Sequence, residues 1–317
     1  MRAIVIDGFG GPEVLQLRQI DRPVPGPGEL LVRVIASGTN PVDAKIRAAG
    51  EWAQIPLPAV LGYDASGVVE GVGPGAGNFR PGDEVFFTPE IFGNPHGTYA
   101  EYTVVPAAIV APMPKSLSHE EAAAVPLAGG TAYEAIVRRL DVRPGETVLI
   151  HGGAGGVGHF AVQIARAAGA RVLATSSTQN LEVLRSLGAD AAIDYTRFDP
   201  FEAALDATDG EGVDAVFDTA GGELTADSCA VTRPFGRIAF ILPPSGDLSA
   251  ASTRNLTLHG IFLHRERRRL EELTRLIDRK LVRPLLDEVL PLDEVARVHR
   301  RLDAGHGRGK VVLAVAS

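Results

Sequence analysis

TVLIHGGAGGVGHFAVQIARAAGA, residues 147–170, is the stretch from which the fold of this chain can be read. An apolar run, Thr147–His151, has the composition of a strand covered on both faces. It ends in a glycine-rich turn, and Val157–Ala168 continues with helical character. Gly153, Gly155 and Gly158 fit the spacing G-x-G-x-x-G, which is specific only when a strand precedes it and a helix follows, as here. Each glycine has a physical reason. Gly153 allows the tight turn, Gly155 lets the backbone approach a pyrophosphate, and Gly158 lets the helix pack close on the sheet. Gly156 and Val157 complete the turn at the helix N-terminus, where N–H groups and partial positive charge favour an anion.

Outward from this turn, strands and helices alternate. Strands are expected at Arg171–Ser176, Ala191–Tyr195, Val213–Thr219 and Arg237–Leu242, with helices at Asn180–Leu187 and Pro200–Ala207. Repeated βα units predict a doubly wound parallel sheet. Before residue 120 the pattern differs. Arg2–Asp7, Leu30–Ala36, Ser66–Val72 and Glu84–Thr88 read as short strands cut by Gly and Pro, which predicts a β-rich, barrel-like domain. Near the end, Arg267–Lys280 and Leu292–Leu302 read as helices and Lys310–Val315 as a last strand. The basic run Arg265–Arg269 reads as a solvated helix start.

The strand after the glycine turn bears on the cofactor. An NAD site usually places an Asp or Glu about 20 residues on, for the ribose 2′-hydroxyl. Here the tip reads Ala174-Thr-Ser-Ser-Thr-Gln-Asn180, and the first acid, Glu182, falls inside the next helix. Ser176, Ser177 and Asn180 can donate hydrogen bonds to a 2′-phosphate. This favours NADPH, although no Lys or Arg stands at the tip.

Composition narrows the class. The net charge is -8, which argues against a nucleic-acid scaffold. No apolar run approaches the ~20 residues of a membrane span. The opening MRAIVIDGFG lacks the plan of a signal peptide, so a cytoplasmic enzyme is expected. With one cysteine, Cys229, the chain can form neither an internal disulfide nor a multi-cysteine zinc site, and the thiol reads as a buried, inert group.

These segments, together with PGPGELLVRV (25–34), SGTNPVDAKIR (37–47), LGYDASGVV (61–69), FRPGDEVF (79–86), GGTAYEAI (129–136), SLGADAAIDY (186–195), DAVFDTAGG (214–222) and RGKVVL (308–313), carry a resemblance over nearly the whole chain. It resembles the zinc-free medium-chain dehydrogenases/reductases, in the branch of quinone oxidoreductases related to zeta-crystallin and of plant enone oxidoreductases. Zinc relatives have Cys in the segment that reads Ala36–Asn40 here, and Gly-His-Glu where this chain has Gly62-Tyr63-Asp64, so no metal is expected.

The resemblance implies a GroES-like catalytic domain from residues 1–122 and 265–317 and a Rossmann NADPH-binding domain from residues 123–264, with nicotinamide and substrate in the cleft between them. It implies a catalytic set of Lys45, Asn40, Asp43 and Tyr63, with Lys45 as hydrogen-bond donor to a developing enolate. Thr131 would contact the nicotinamide side, Tyr195 the 2′-phosphate, and Asp218, Thr219 and Ala220 the ribose. Ile241, Leu242, Phe262 and Leu263 would flank the nicotinamide, and Arg308 and Lys310 would close over the cofactor. The implied reaction is hydride transfer from NADPH to a quinone or to the C=C of an α,β-unsaturated carbonyl. An enoyl-thioester reductase and a non-catalytic, crystallin-like NADPH-binding protein are the alternatives. The implied assembly is a homodimer joined through edge strands near Arg237–Leu242.

Overall fold

The computed structural model describes residues 1–305 and 307–315 and divides the chain into two compact units. One comprises Gly129–Leu263 with Lys280–Arg283; the other comprises Met1–Ala128, His264–Arg279 and the chain from Pro284 onward.

The central unit is built on six parallel strands. Their spatial order is Ala191–Asp194, Arg171–Ser176, Thr147–His151, Val213–Asp218, Thr232–Phe240 and Thr257–Gly260. The chain moves outward from Thr147–His151 in one direction, then returns to pair Val213–Asp218 on its other side. That reversal is the topological switch point, where the carboxyl ends of neighbouring strands leave a crevice for a ligand. Leu149, Leu173, Val216 and Ile238, one from each of four successive strands, are fully buried in one core. Cys229 lies in the same core, with its thiol donating to the Thr225 carbonyl at 3.4 Å, which agrees with its reading as a packed side chain.

The terminal unit carries a sheet ordered Leu286–Pro291, Lys310–Ala314, Glu29–Gly38, Ala65–Val72, Glu84–Phe87 and Ala111–Pro112, with Tyr102–Pro106 also paired to Glu29–Gly38. A smaller sheet joins Gln16–Gln19, Arg2–Ile6 and Ala59–Val60. Among the described residues no helix is long and apolar enough to cross a membrane.

Several elements depart from the sequence reading. Pro41–Ala49, which begins in the NPVDAK segment, is an α-helix. Pro41 at its first turn needs no N–H, and the Asp43 carboxylate accepts the Asn40 N–H at 2.6 Å. Gln16–Gln19, Tyr102–Pro106, Thr257–Gly260 and Leu286–Pro291 are strands with little alternation to reveal them. The Arg237–Leu242 run is not an edge. Its first part, Arg237 to Phe240, lies in Thr232–Phe240, hydrogen-bonded on both sides, and the sheet edge on that side is Thr257–Gly260.

Phe235 interrupts that strand. Its φ is +65° and its side chain is 75% exposed, a left-handed backbone for which an L side chain costs about 1–2 kcal/mol. Phe235→Gly is therefore expected to stabilise the protein by about 0.5–1 kcal/mol after the extra freedom of glycine in the unfolded chain is deducted. Phe235→Ala keeps the backbone cost and should not stabilise. Thermal melts of both variants check this, and a Phe235→Gly melting temperature at or below wild type would contradict it.

Candidate functional site

In the central unit the glycine turn sits at the carboxyl end of Thr147–His151, at the switch point. The tight-turn conformation falls on Gly152, φ +70°, rather than on Gly153. Gly153 is instead the close-packed position: a Cβ there would lie 2.9 Å from both the Ala174 and Leu184 side chains. Gly158 starts the helix Gly158–Ala167 against the turn, and a Cβ would stand 2.1 Å from the Gly152 carbonyl oxygen. Gly155 meets only that same oxygen, at 3.2 Å, and Gly155, Gly156 and Val157 are partly exposed. The turn thus offers an open stretch of backbone at a helix N-terminus, the arrangement that binds a phosphate.

Neighbouring residues hold the turn in place. The Gly153 N–H donates to the Thr175 carbonyl at 2.9 Å and the Gly152 N–H to the Thr175 hydroxyl at 3.1 Å. On the other side of the switch point, the Thr219 hydroxyl donates to the His151 carbonyl at 2.7 Å. Asp218, read as a residue beneath the ribose, turns its carboxylate inward. It accepts the Ala220 and Gly221 N–H groups, both at 2.9 Å, and the Thr225 hydroxyl at 2.6 Å, so it shapes the loop carrying Thr219 and Ala220. His151 is buried against the Ser228 hydroxyl, and burial lowers its pKa to about 4, so it is neutral at neutral pH.

At the tip of Arg171–Ser176, Ser176 is buried, Ser177 and Asn180 are half-buried and Tyr195 is 51% exposed. The tip lacks an acid in sequence but has one in space. Asp194 ends its strand paired with Ser176 and accepts the Thr178 hydroxyl at 2.5 Å. Only the strand order shows this, because Asp194 lies 16 residues from Thr178. Ile241 and Leu242 are half-buried, Leu263 is buried and Phe262 is exposed, while Thr131 is buried on the helix Pro126–Tyr133.

In the terminal unit a buried polar cluster gathers Asn40, Asp43, Tyr63 and Asp64. The Asn40 amide donates to Asp64 at 2.9 Å, and the Leu127 N–H donates to the other Asp64 oxygen at 2.7 Å. The Tyr99 hydroxyl donates to Asp43 at 2.8 Å. Burial pushes the Asp43 carboxyl up to about 7, against the hydrogen bonds from Tyr99 and the Asn40 N–H. Burial also raises Asp64 to about 6, against the Lys310 ammonium and the Asn40 amide. Tyr63 is fully buried, which raises its phenol pKa. Lys45 stands apart from this cluster, exposed on Pro41–Ala49.

Two expectations need correction. Lys310, expected to close over the cofactor, is instead turned into the terminal unit. It is 3% exposed, and its ammonium donates to the Thr39 carbonyl at 2.8 Å and to the Asn40 amide oxygen, with Asp64 at 3.4 Å. A buried ammonium needs such compensation, and these oxygens supply it. Arg308 pairs with Asp287 at 2.8 Å. Nor is Arg265–Arg269 a uniformly solvated helix start. The side chains of Arg265 and Arg269 are buried and donate to the Pro89 and His264 carbonyls, while Arg268 is exposed.

The cluster does not fit zinc. A zinc site requires about four N, S or O ligands. Here the Asp64 carboxylate and the Asn40 amide oxygen are held by an ammonium, and Tyr63 offers a phenol kept protonated by burial. Among the described residues there is no group of three or more His, Cys, Asp or Glu that could hold a metal.

Fold and site together define a two-unit dehydrogenase/reductase, and comparison with known proteins agrees. Residues 26–115 match the alcohol dehydrogenase GroES-like domain and residues 187–313 the zinc-binding dehydrogenase family. The chain is 35% identical to the NADPH-dependent alkenal/one oxidoreductase of Arabidopsis thaliana chloroplasts, covering 99% of this chain and 79% of that one. It is 31% identical to human quinone oxidoreductase, covering 99% and 97%. A solved NAD-dependent alcohol dehydrogenase is 37% identical over the full length of both chains, with a TM-score of 0.92. The chain belongs to the medium-chain dehydrogenase/reductase family, among its quinone and alkenal/one oxidoreductase relatives, and is an oxidoreductase.

Two predictions follow from the packing. Gly158→Ala places a methyl against backbone that cannot yield cheaply and should destabilise by about 1–3 kcal/mol. Gly155→Ala should melt near wild type, and equal melting temperatures for the two variants would refute the assignment.

The second prediction concerns pH. Burial raises the Asp43 pKa from its ordinary value of 3.8 to about 7 in the folded chain. The folded chain therefore retains a proton that the unfolded chain loses, and this contribution to stability falls as pH rises from about 4 to 7. Each unit of difference is worth about 1.4 kcal/mol. Asp43→Asn keeps an acceptor for Asn40 and Tyr99 but does not titrate. It should gain on wild type between pH 5 and pH 8 in urea unfolding; a constant difference would show that Asp43 does not titrate there.

Proposed function

We propose that this protein is an NADPH-dependent reductase that delivers hydride to a quinone or to the C=C of an α,β-unsaturated carbonyl without a metal. The observation that carries the reading is the Lys310 ammonium seated between Asn40, Thr39 and Asp64, which leaves no ligand set for a Lewis acid. An acceptor that is already electron-poor suits such a site.

The residues present fit a dinucleotide. Gly153, Gly155, Gly156, Val157 and Gly158 form the phosphate cradle, with Thr219 and Ala220 held on the other side of the switch point by Asp218. Ser176, Ser177, Asn180 and Tyr195 surround the position for a 2′-phosphate. The Asp194 carboxylate beside them does not favour NADH. It offers about four acceptor sites, and Thr178 and Thr196 fill three, leaving little for a ribose hydroxyl. The bound nicotinamide supplies the hydride, and Thr131, Ile241, Leu242, Phe262 and Leu263 are its proposed neighbours.

Lys45 is the proposed donor to the developing enolate oxygen, because its ammonium is exposed. Asn40 and Asp43 act as positioning residues: both side-chain atoms of Asn40 are occupied, and Asp43 is fully buried, with Oδ2 accepting the Asn40 N–H and the Tyr99 hydroxyl and only Oδ1 unpaired. The enoyl-thioester alternative needs a basic landing site for phosphates, and the 265–269 run is a poor one: Arg265 and Arg269 are buried, and Arg267 and Arg268 pair with Glu271 and Glu272. We place the homodimer contact at the edge strand Thr257–Gly260, whose outer backbone is free to pair.

Steady-state oxidation of NADPH with a panel of quinones and enones tests the activity, and no turnover with any member would favour a non-catalytic NADPH-binding protein. Lys45→Ala should lower enone turnover by about 100-fold, the scale for loss of one oxyanion donor, with the NADPH dissociation constant nearly unchanged. A folded variant with full turnover on the best enone would remove Lys45 from the reaction.

A further inference from the structure

The acid at the tip of Arg171–Ser176 has a geometry that suits neither a cofactor ligand nor an ordinary surface charge. Asp194 Oδ2 accepts the Thr178 hydroxyl at 2.5 Å. Asp194 Oδ1 accepts the Thr196 hydroxyl at 2.6 Å and the Thr196 N–H at 3.0 Å. The two hydroxyls lie 3.3 Å apart, and between them the Tyr195 N–H donates to the Ser176 carbonyl at 3.2 Å. One carboxylate therefore clamps two loops that follow different strands. The first carries Ser176, Ser177 and Asn180; the second carries Tyr195. The Thr178 and Thr196 hydrogen bonds hold the Asp194 carboxyl below its usual range, so it is ionised and accepts from all three donors at neutral pH.

We propose that Asp194 and Thr178 are positioning residues for the adenosine 2′-phosphate, tying the Ser176–Asn180 turn to Tyr195 so that their side chains converge on one anion. The Ser176–Asn180 turn carries no Lys or Arg, and the ionised Asp194 beside it is offset by the nearby Arg197, so a phosphate there depends on several weak donors, and these act together only if the loops bearing them are held in one arrangement. The tie matters little for NADH, which presents a hydroxyl in place of the phosphate. This inference rests on the NADPH reading above.

Thr178→Val tests it directly, because Thr178 is exposed and valine keeps the shape while removing the donor. Dissociation constants for NADPH and NADH would be measured by fluorescence titration of the full chain, with melting temperatures alongside. Thr178→Val should weaken NADPH about fivefold, the equivalent of one hydrogen bond, and leave NADH within about twofold. Thr178→Ser should restore NADPH affinity. Asp194→Asn, which cannot accept from both loops, should also weaken NADPH, and combining it with Thr178→Val should add nothing. If wild type prefers NADPH but Thr178→Val keeps full affinity, or loses NADPH and NADH alike, the tie is overturned and the cofactor reading stands. A rise in NADPH affinity for Asp194→Asn would make the carboxylate a repulsive charge and also overturn it. A wild-type chain that binds NADH more tightly overturns both.

Discussion

The ammonium of Lys310 is buried among the Thr39 carbonyl, the Asn40 amide oxygen and the Asp64 carboxylate, and the terminal unit is organised around that contact. A charge taken out of water is tolerated only when oxygens replace its hydration. Here the oxygens come from residues 246 to 271 positions away in the chain. The last strand, Lys310–Ala314, pairs with Glu29–Gly38, and the same pairing brings the ammonium to the end of that strand, where Asn40 opens the next helix. Removing one partner would leave an uncompensated buried charge.

The contact also shapes the chemistry. Asn40 and Asp64 are polar, converging and buried, as metal ligands often are, yet their oxygens are already occupied by a cation belonging to the protein. A chain of hydrogen bonds runs on from Asn40 to Asp43, Tyr99 and His299, whose Nε2 lies 3.3 Å from the Tyr99 hydroxyl. Such a network rigidifies the segment that carries Lys45.

In the central unit the governing constraint is steric. Gly158 presses on Gly152, and Gly153 on Ala174 and Leu184, so the turn is wedged between a helix and the next strand. The loops around it are then held by single hydrogen-bonding side chains: Thr175 beneath the turn, Asp218 under Thr219 and Ala220, and Asp194 between two strand tips. None of these three was read from sequence as a loop-shaping residue. An Asp or Thr at a strand end is locally indistinguishable from a ligand or a turn former.

The sequence by itself determined what depends on near neighbours. The alternation of apolar runs and helical segments from Thr147 onward gave away the parallel sheet, because strand burial and helix periodicity are written over a few residues. The G-x-G-x-x-G spacing located the cradle, and Tyr63 with a single cysteine spoke against zinc. The tertiary structure alone decided what depends on which distant residues become adjacent. It buried Lys310 among the Thr39, Asn40 and Asp64 oxygens and paired the exposed Arg308 with Asp287, where the resemblance implied that both close over the cofactor. It brought Asp194 to a tip that sequence reads as acid-free, moved the positive φ from Gly153 to Gly152, and made Thr257–Gly260 the sheet edge. The physical reason is common to all of them: strand order and register are set by burial of the whole sheet, and no local pattern records which strand will lie beside which.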